Sequence, residues 1–424
     1  MMDKIVLFGP GPKFKGGIAN YNTSLAKAFD KLQVAEIYIV SWTQQYPAII
    51  PRDFIDRSSK GDLLEGTNIK VHYITNYNNP LSWQRTVRLI RKIGPKMVIF
   101  QWAIAIQGIP LGYIARRLSK IKGLEVVFDL HFVIQKEGSK IDNTLTRKGI
   151  RNAHSYVVHA LKTYLELRQL FPRKSFRLCE PGKKAEGEGT RVVKLFHPVY
   201  DMFRPDPGFD IEKEKKALNL RKHVFLFFGF IRKYKGLHDA IEAFAKVAAV
   251  RDDVSLLIVG ESFWQTLDSK KISTRMKNAF FSVAKSIFLR KQDDERHYRP
   301  LELIDKLAIR EFVTVVNDFV PNEDVHRYFQ VSDAILLFYH TATPSGVESI
   351  GYNFKMPVLA TRVGHFPETV RDGFNGYLAE PGDHDSMAQA MIRSIEQPIP
   401  RQNVAETSRE MSWYNYATAI LNER

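Results

Sequence analysis

Apolar residues in this chain fall into short, nearly unbroken runs, separated by longer stretches in which they recur every three or four positions. KIVLFG (4–9), IYIVSW, KVHYIT, MVIFQW, EVVFDL and YVVHA are runs of the first kind, and SWQRTVRLIRKI is a stretch of the second. Runs without polar alternation suit strands buried on both faces, and the helical stretches between them suit cover for those faces. The pattern predicts a parallel sheet built from strand–helix units. It restarts after RPDPGFD (204–210), with HVFLFFGF, VSLLIVG, FVTVVND, AILLFYH and MPVLATR as strands, and DAIEAFAKVAAV and NEDVHRYFQVSD as helices. The expected class is α/β, with two doubly wound, Rossmann-like domains of similar size at 1–203 and 204–398. A last segment, 399–424, follows the break QPIP and ends in the short helix MSWYNYATAILNER. Ligands of such sheets bind beyond the carboxyl ends of the strands, so two sheets facing each other would hold an active site in the cleft between them.

Two stretches depart from this rhythm. Met97–Ala115 is 19 residues without a charge, close to the length of a membrane span. Gln101, Gln107, Gly108 and Pro110 divide it into strand, turn and helix, so no span is expected. The second departure is an insertion, 262–300, which contains KKISTRMKNAFFSVAKSIFLRK (270–291). Its apolar residues keep helical spacing, with lysine and arginine on the remaining face. Two readings stay open for it: a helix lying in a membrane interface, or one packed on its own domain.

Composition narrows the class. The chain has 424 residues, 44% of them hydrophobic and 25% charged, which excludes disorder and fibrous repeats. One cysteine, Cys179, excludes an internal disulfide framework and a cysteine-clustered zinc site, and fits a reducing compartment. The start, MMDKIVLFGPGPKFKGG, lacks a secretory pattern, so a cytoplasmic location is expected. Charge is lopsided. Residues 1–200 carry 32 Lys and Arg against 15 Asp and Glu, a net of +17; residues 201–424 come to −1. A field confined to one half suggests an anionic partner for that half.

Four segments carry candidate chemistry. GPGPKFKGGIANYNTSLAKAF (9–29) joins a strand to a helix, with Gly16 and Gly17 just before the helix, where backbone N–H groups can approach an anion. Its spacing is not the dinucleotide fingerprint. In FDLHFVIQKEG (128–138), His131 follows a strand end, and Glu137 could be a donor contact, an acceptor contact or a solvated group. In FFGFIRKYKGLHDAIEAF (227–244), Arg232, Lys233 and Lys235 follow a buried strand, which suits a pyrophosphate leaving group. Finally, AILLFYHTATPSGVESIGYNF leads from a strand into a helix beginning near Ser345 and Gly346, with Glu348 in its first turn.

The chain resembles the retaining, nucleotide-sugar-dependent glycosyltransferases of family 4, which have the two-domain GT-B fold. The resemblance runs over the whole length and is strongest in FFGFIRKYKGL and in PSGVESIGYNFKMPVLATRVGHFPETVRDGFNGYLAEPGD. HFVIQKE resembles that family's H-N-V-x-P-H-E stretch, and SWYNYA its closing helix, which packs back on the first domain. The resemblance implies that Gly16 and Gly17 approach the donor phosphates and that His131 touches the transferred sugar. It further implies that Arg232 and Lys235 neutralise the departing diphosphate. Ser345, Gly346 and Val347 would offer backbone N–H groups to the same phosphates. Glu348, from its place in the first turn rather than from the resemblance, could receive sugar or ribose hydroxyls. Phe230 stands where the family has an arginine, leaving Arg232 to substitute. The family's two glutamates, eight apart, are replaced by Ala342 and Ile350.

These features lead to an expected transfer of a sugar, with retained configuration, from a nucleotide diphosphate to a glycan or lipid-linked acceptor. No metal and no cofactor are expected beyond the nucleotide sugar as co-substrate. The positive first half suggests peripheral attachment to an anionic membrane surface on its inner face. Alternatives are a nucleotide-sugar epimerase or phosphorylase of the same fold, or a catalytically weak or lapsed subunit acting as a scaffold. Nucleic acid is not an expected partner, because no helix-turn-helix, zinc finger or aromatic RNA-binding stripe is present in the sequence.

Overall fold

The computed structural model describes residues 2–46, 55–56, 62–134, 140–261, 298–318, 320–344 and 346–422. Glu137, Ser345 and the helix expected at 270–291 lie outside the described residues. The chain divides into two units, Met1–Pro198 with Ser412–Arg424, and Val199–Met411. The break thus comes before the RPDPGFD segment. Of the two helices after residue 399, Arg401–Glu410 stays with the second unit, and only Trp413–Asn422 belongs to the first. The boundaries expected at 203 and 398 shift accordingly.

The first unit is an eight-stranded, all-parallel sheet: β1 (Asp3–Phe8), β2 (Ala35–Gln44), β3 (Lys70–Asn76), β4 (Met97–Trp102), β5 (Glu125–Leu130), β6 (Ser155–Val158), β7 (Phe176–Cys179) and β8 (Thr190–Lys194), in the order β3-β2-β1-β4-β5-β6-β8-β7. Helices α1 (Gly17–Leu32), α2 (Pro80–Ile93), α3 (Gly108–Leu118), α4 (Lys140–Ile150) and α5 (Leu161–Leu170) connect the strands. The 19-residue uncharged stretch is β4, a short turn and α3. Among the described residues no helix is long and apolar enough to cross a membrane. Val6, Phe8, Val98, Phe100, Val126 and Phe128 pack against Val87, Ile90, Leu111 and Ile114 of α2 and α3. Glycine is required where α3 meets α4: a Cβ at Gly108 would stand 2.3 Å from the Leu145 carbonyl oxygen.

The second unit is a six-stranded parallel sheet: β9 (His223–Phe228), β10 (Val254–Val259), β11 (Val313–Val316), β12 (Ala334–Leu337), β13 (Val358–Thr361) and β14 (Gly376–Ala379), in the order β11-β10-β9-β12-β13-β14. After α6 (Ile211–Ala217), α7 (Leu237–Ala248) follows β9 and buries Ala240, Ile241, Phe244 and Val247. In both sheets the strand order reverses beside the first strand, between β1 and β4 and between β9 and β12. The carboxyl ends flanking such a reversal are where ligands of this architecture bind.

Candidate functional site

In the first unit, β1 ends at Phe8, and the chain turns through Gly9 and Gly11 to reach α1. A Cβ at Gly9 would press on the Gln101 side chain at 2.9 Å. Gly16 has φ +104°, and a side chain there would meet nothing within 4 Å. Gly16 and Gly17 are both exposed, no side chain caps α1 among the described residues, and its first turn holds no carboxylate. The positive end of a sixteen-residue helix therefore lies at a strand terminus.

His131 follows β5, and its Nε2 lies 2.8 Å from Gln101 Oε1. Its ring meets the Tyr21 ring edge-on, with centroids 4.7 Å apart. Burial pushes the imidazole down to about 4, opposed by the Asp129 carboxylate. His131 is thus neutral at physiological pH and acts through hydrogen bonding and shape.

Behind His131 lies a polar cluster that the sequence reading missed. The Tyr21 hydroxyl donates to Asp129 Oδ2 at 2.9 Å, and Tyr21 and Tyr416 hydroxyls are 2.6 Å apart. His159 Nε2 lies 2.9 Å from both Asp129 Oδ1 and the Tyr416 hydroxyl. Asp129 is fully buried, yet the His159, His131 and Tyr21 side chains hold its carboxyl below the usual range against the opposing effect of burial. The cluster joins α1, β5, β6 and the closing helix Trp413–Asn422, four segments that no local motif connects.

In the second unit, β9 runs into Gly229 (φ +93°), Arg232 and a 3-10 turn, Lys233–Lys235, before α7. Gly236 has φ +63°, and a Cβ there would collide with the Phe338 carbonyl oxygen at 2.0 Å, so this turn needs glycine. Lys235 is 9% exposed. Burial, and then the neighbouring Arg232 charge, push its ammonium down to about 8. Lys235 Nζ and Val347 Cγ2 lie 3.1 and 3.6 Å from the position a Cβ would take at Gly229. The cation and the start of the helix Gly346–Asn353 therefore converge on the end of β9. Gly346 is held by packing, since a Cβ there would stand 2.7 Å from the Tyr200 ring.

Glu348 turns its carboxylate inward. It is buried and bonded to His365 Nε2 at 2.5 Å and to the Thr369 hydroxyl, so both oxygens have partners within the protein. Ala342 and Ile350 are buried as well, and the Ala342 carbonyl would touch a Cβ at Gly364 at 2.1 Å. Apolar packing fills the places where glutamates were looked for.

Residues 208–411 match the family described as glycosyl transferases group 1. That match falls within the second unit and ends where the unit ends. Over 233 residues the chain is 24% identical to N-acetyl-alpha-D-glucosaminyl L-malate synthase of Bacillus anthracis, covering 55% of this chain and 50% of that one. Over 246 residues it is 28% identical to D-inositol 3-phosphate glycosyltransferase of Mycobacterium marinum, covering 54% and 44%. The matches thus span about half the length of these curated relatives. Anabaena HepE in complex with UDP superimposes with a TM-score of 0.65 at 16% identity, covering 100% of this chain and 99% of that one. The sucrose-phosphate synthase of Thermosynechococcus elongatus gives 0.62 at 15%, covering 99% of this chain and 98% of that one. The chain has the GT-B fold of these neighbours.

Proposed function

We propose that the chain transfers a sugar from a nucleoside diphosphate to a glycan or lipid-linked acceptor with retention of configuration. Lys235 is the observation that carries this reading. A buried ammonium beside a second cation, at the end of β9 and the start of a helix, is suited to bind an anion. As the bond between the anomeric carbon and the β-phosphate oxygen breaks, charge grows on the diphosphate. Arg232 and Lys235 stabilise that charge, and this step requires no metal ion. His131, being neutral, would orient the sugar through its imidazole nitrogens, and Gly16 and Gly17 would let the donor phosphates approach α1. Neighbours of the same fold include HepE in complex with UDP-glucose, which supports a nucleotide-sugar donor.

One observation favours a second reading, a weak or lapsed subunit. Ala342 and Ile350 are apolar and buried, and Glu348 is bound internally. A thermal-shift panel of UDP-, GDP-, ADP- and dTDP-sugars separates the two readings: a stabilising donor that is then consumed with acceptor extract supports transfer. If no donor in the panel raises the melting temperature, the lapsed reading is supported.

The proposal places the enzyme peripherally on the inner face of an anionic membrane. Arg85, Arg88, Arg91 and Lys92 on α2, and Arg116, Arg117, Lys120 and Lys122 on and just after α3, are all exposed. Among the described residues none of the eight lies within ion-pair distance of a carboxylate.

A further inference from the structure

We propose that His238, Asp239 and His340 form a binding site for one divalent transition-metal ion of the zinc type. One donor atom from each lies within 4.8 Å of the other two. Asp239, in the first turn of α7, has a carboxylate only 8% exposed, and three imidazole nitrogens surround it. His340 Nε2 lies 2.6 Å from Oδ2, while His384 Nε2 and His238 Nε2 lie 2.9 and 3.5 Å from Oδ1.

The remaining imidazole nitrogens argue for ligation. His238 Nδ1 sits 2.9 Å from the Tyr298 hydroxyl, which also accepts the His238 backbone N–H. When Nδ1 donates to that oxygen, Nε2 keeps its lone pair directed at Asp239. His384 Nδ1 faces Glu242 Oε2 at 3.0 Å, so Glu242 and His384 together hold Asp239 from behind. An imidazole whose second nitrogen is fixed by a hydroxyl or carboxylate is how proteins orient metal ligands. Two imidazoles and a carboxylate select zinc, cobalt or nickel over magnesium or calcium, and leave a fourth position for water.

Ligands about 2.0–2.1 Å from a tetrahedral ion stand roughly 3.3 Å apart, so the 2.6 Å gap between His340 and Asp239 must widen. The His340 side chain is 44% exposed and has room to move. Such an ion would tie the start of α7 to the segment after β12. Those segments already meet, since the His340 N–H donates to the Tyr234 carbonyl at 2.8 Å. The ion would brace the turn that carries Lys235, in a role separate from the transfer chemistry.

The test uses the tag-free full-length chain, stripped with chelator and titrated with Co²⁺ and Zn²⁺ by visible absorption and calorimetry. The proposal predicts about one equivalent bound, with cobalt bands of tetrahedral or five-coordinate intensity, and a melting temperature raised by Zn²⁺. His340→Ala, at an exposed position, should fold normally and lose binding by at least ~100-fold; His384→Ala should lose roughly 10–100-fold. Substoichiometric binding, or equal cobalt affinity in wild type and His340→Ala, would overturn the site. Loss in His340→Ala with none in His238→Ala would overturn the assigned ligand set. None of these readouts depends on transfer, so they stand apart from the proposed activity.

Discussion

Lys235 and His131 are displaced in the same direction by burial, with opposite consequences for function. Lys235 gives up its proton near pH 8 instead of above 10, so the free protein carries this charge below about 8 and loses it above. If that charge serves the leaving group, kcat/KM falls as pH rises through about 8. Lys235→Arg, whose guanidinium stays charged, should remove that limb. Removing the Arg232 charge, as in Arg232→Gln, should move the limb to higher pH. His131 titrates near 4, so no rise in activity should appear between pH 6 and 7 from its deprotonation. Its displacement also links to stability: below about 6.5 the unfolded chain takes up a proton that the folded chain refuses until about 4. Stability should therefore decline on acidification across that window, and less steeply in His131→Asn, as thermal melts at several pH values would show. Glu348 belongs to the same scale. Glu348→Gln should cost on the order of 1–3 kcal/mol of folding stability by disturbing the bonds to His365 and Thr369, with little effect on nucleotide affinity. A large loss of nucleotide affinity in a stable Glu348→Gln protein would restore the donor role that its burial argues against.

At the scale of elements, the closing helix Trp413–Asn422 docks on α1 through Trp413, Tyr416, Ala417 and Ile420, and Tyr416 completes the hydrogen bonding around Asp129. Tyr416→Phe should destabilise the first unit by about 1–3 kcal/mol, the usual cost of a buried group left without its partner, measured by urea unfolding. The strands were mostly legible in the sequence because parallel strands buried on both faces read as unbroken apolar runs; MVIFQW and EVVFDL are β4 and β5 residue for residue. β7, β8 and β14 were not recognised as strands. FRLC and TRVVK carry cationic residues that break the apolar run, and GYLA begins on a glycine. Cations after β9 and glycines before α1 were legible because they sit at strand ends. The Asp129 cluster and the His238–Asp239–His340 group were not, since Tyr21 and Tyr416 are 395 residues apart in the chain and Asp239 and His340 are 101 apart. The internal partners of Glu348 were not legible either, because its place in a first turn fixes its position along the helix but leaves undetermined which way the carboxylate turns.

For the molecule as a whole, the charge asymmetry remains the largest unlocalised feature, and the eight exposed cations on α2 and on and just after α3 give it a surface. Each cation near an acidic bilayer is worth ~1 kcal/mol, enough in combination for attachment that salt reverses. The chain should float with phosphatidylglycerol vesicles at low salt and be released at high salt, and charge reversal at Arg85, Arg88, Arg91 and Lys92 should abolish flotation. Failure to float at low salt would assign the charge to a soluble anionic acceptor. The central claim, that Lys235 and Arg232 serve a departing diphosphate, is tested most directly by turnover of the nucleotide sugar that the panel identifies. The account predicts that Lys235→Ala and Arg232→Ala fold as wild type and lose roughly 10²–10³ in kcat. Near-normal turnover in both variants would contradict it.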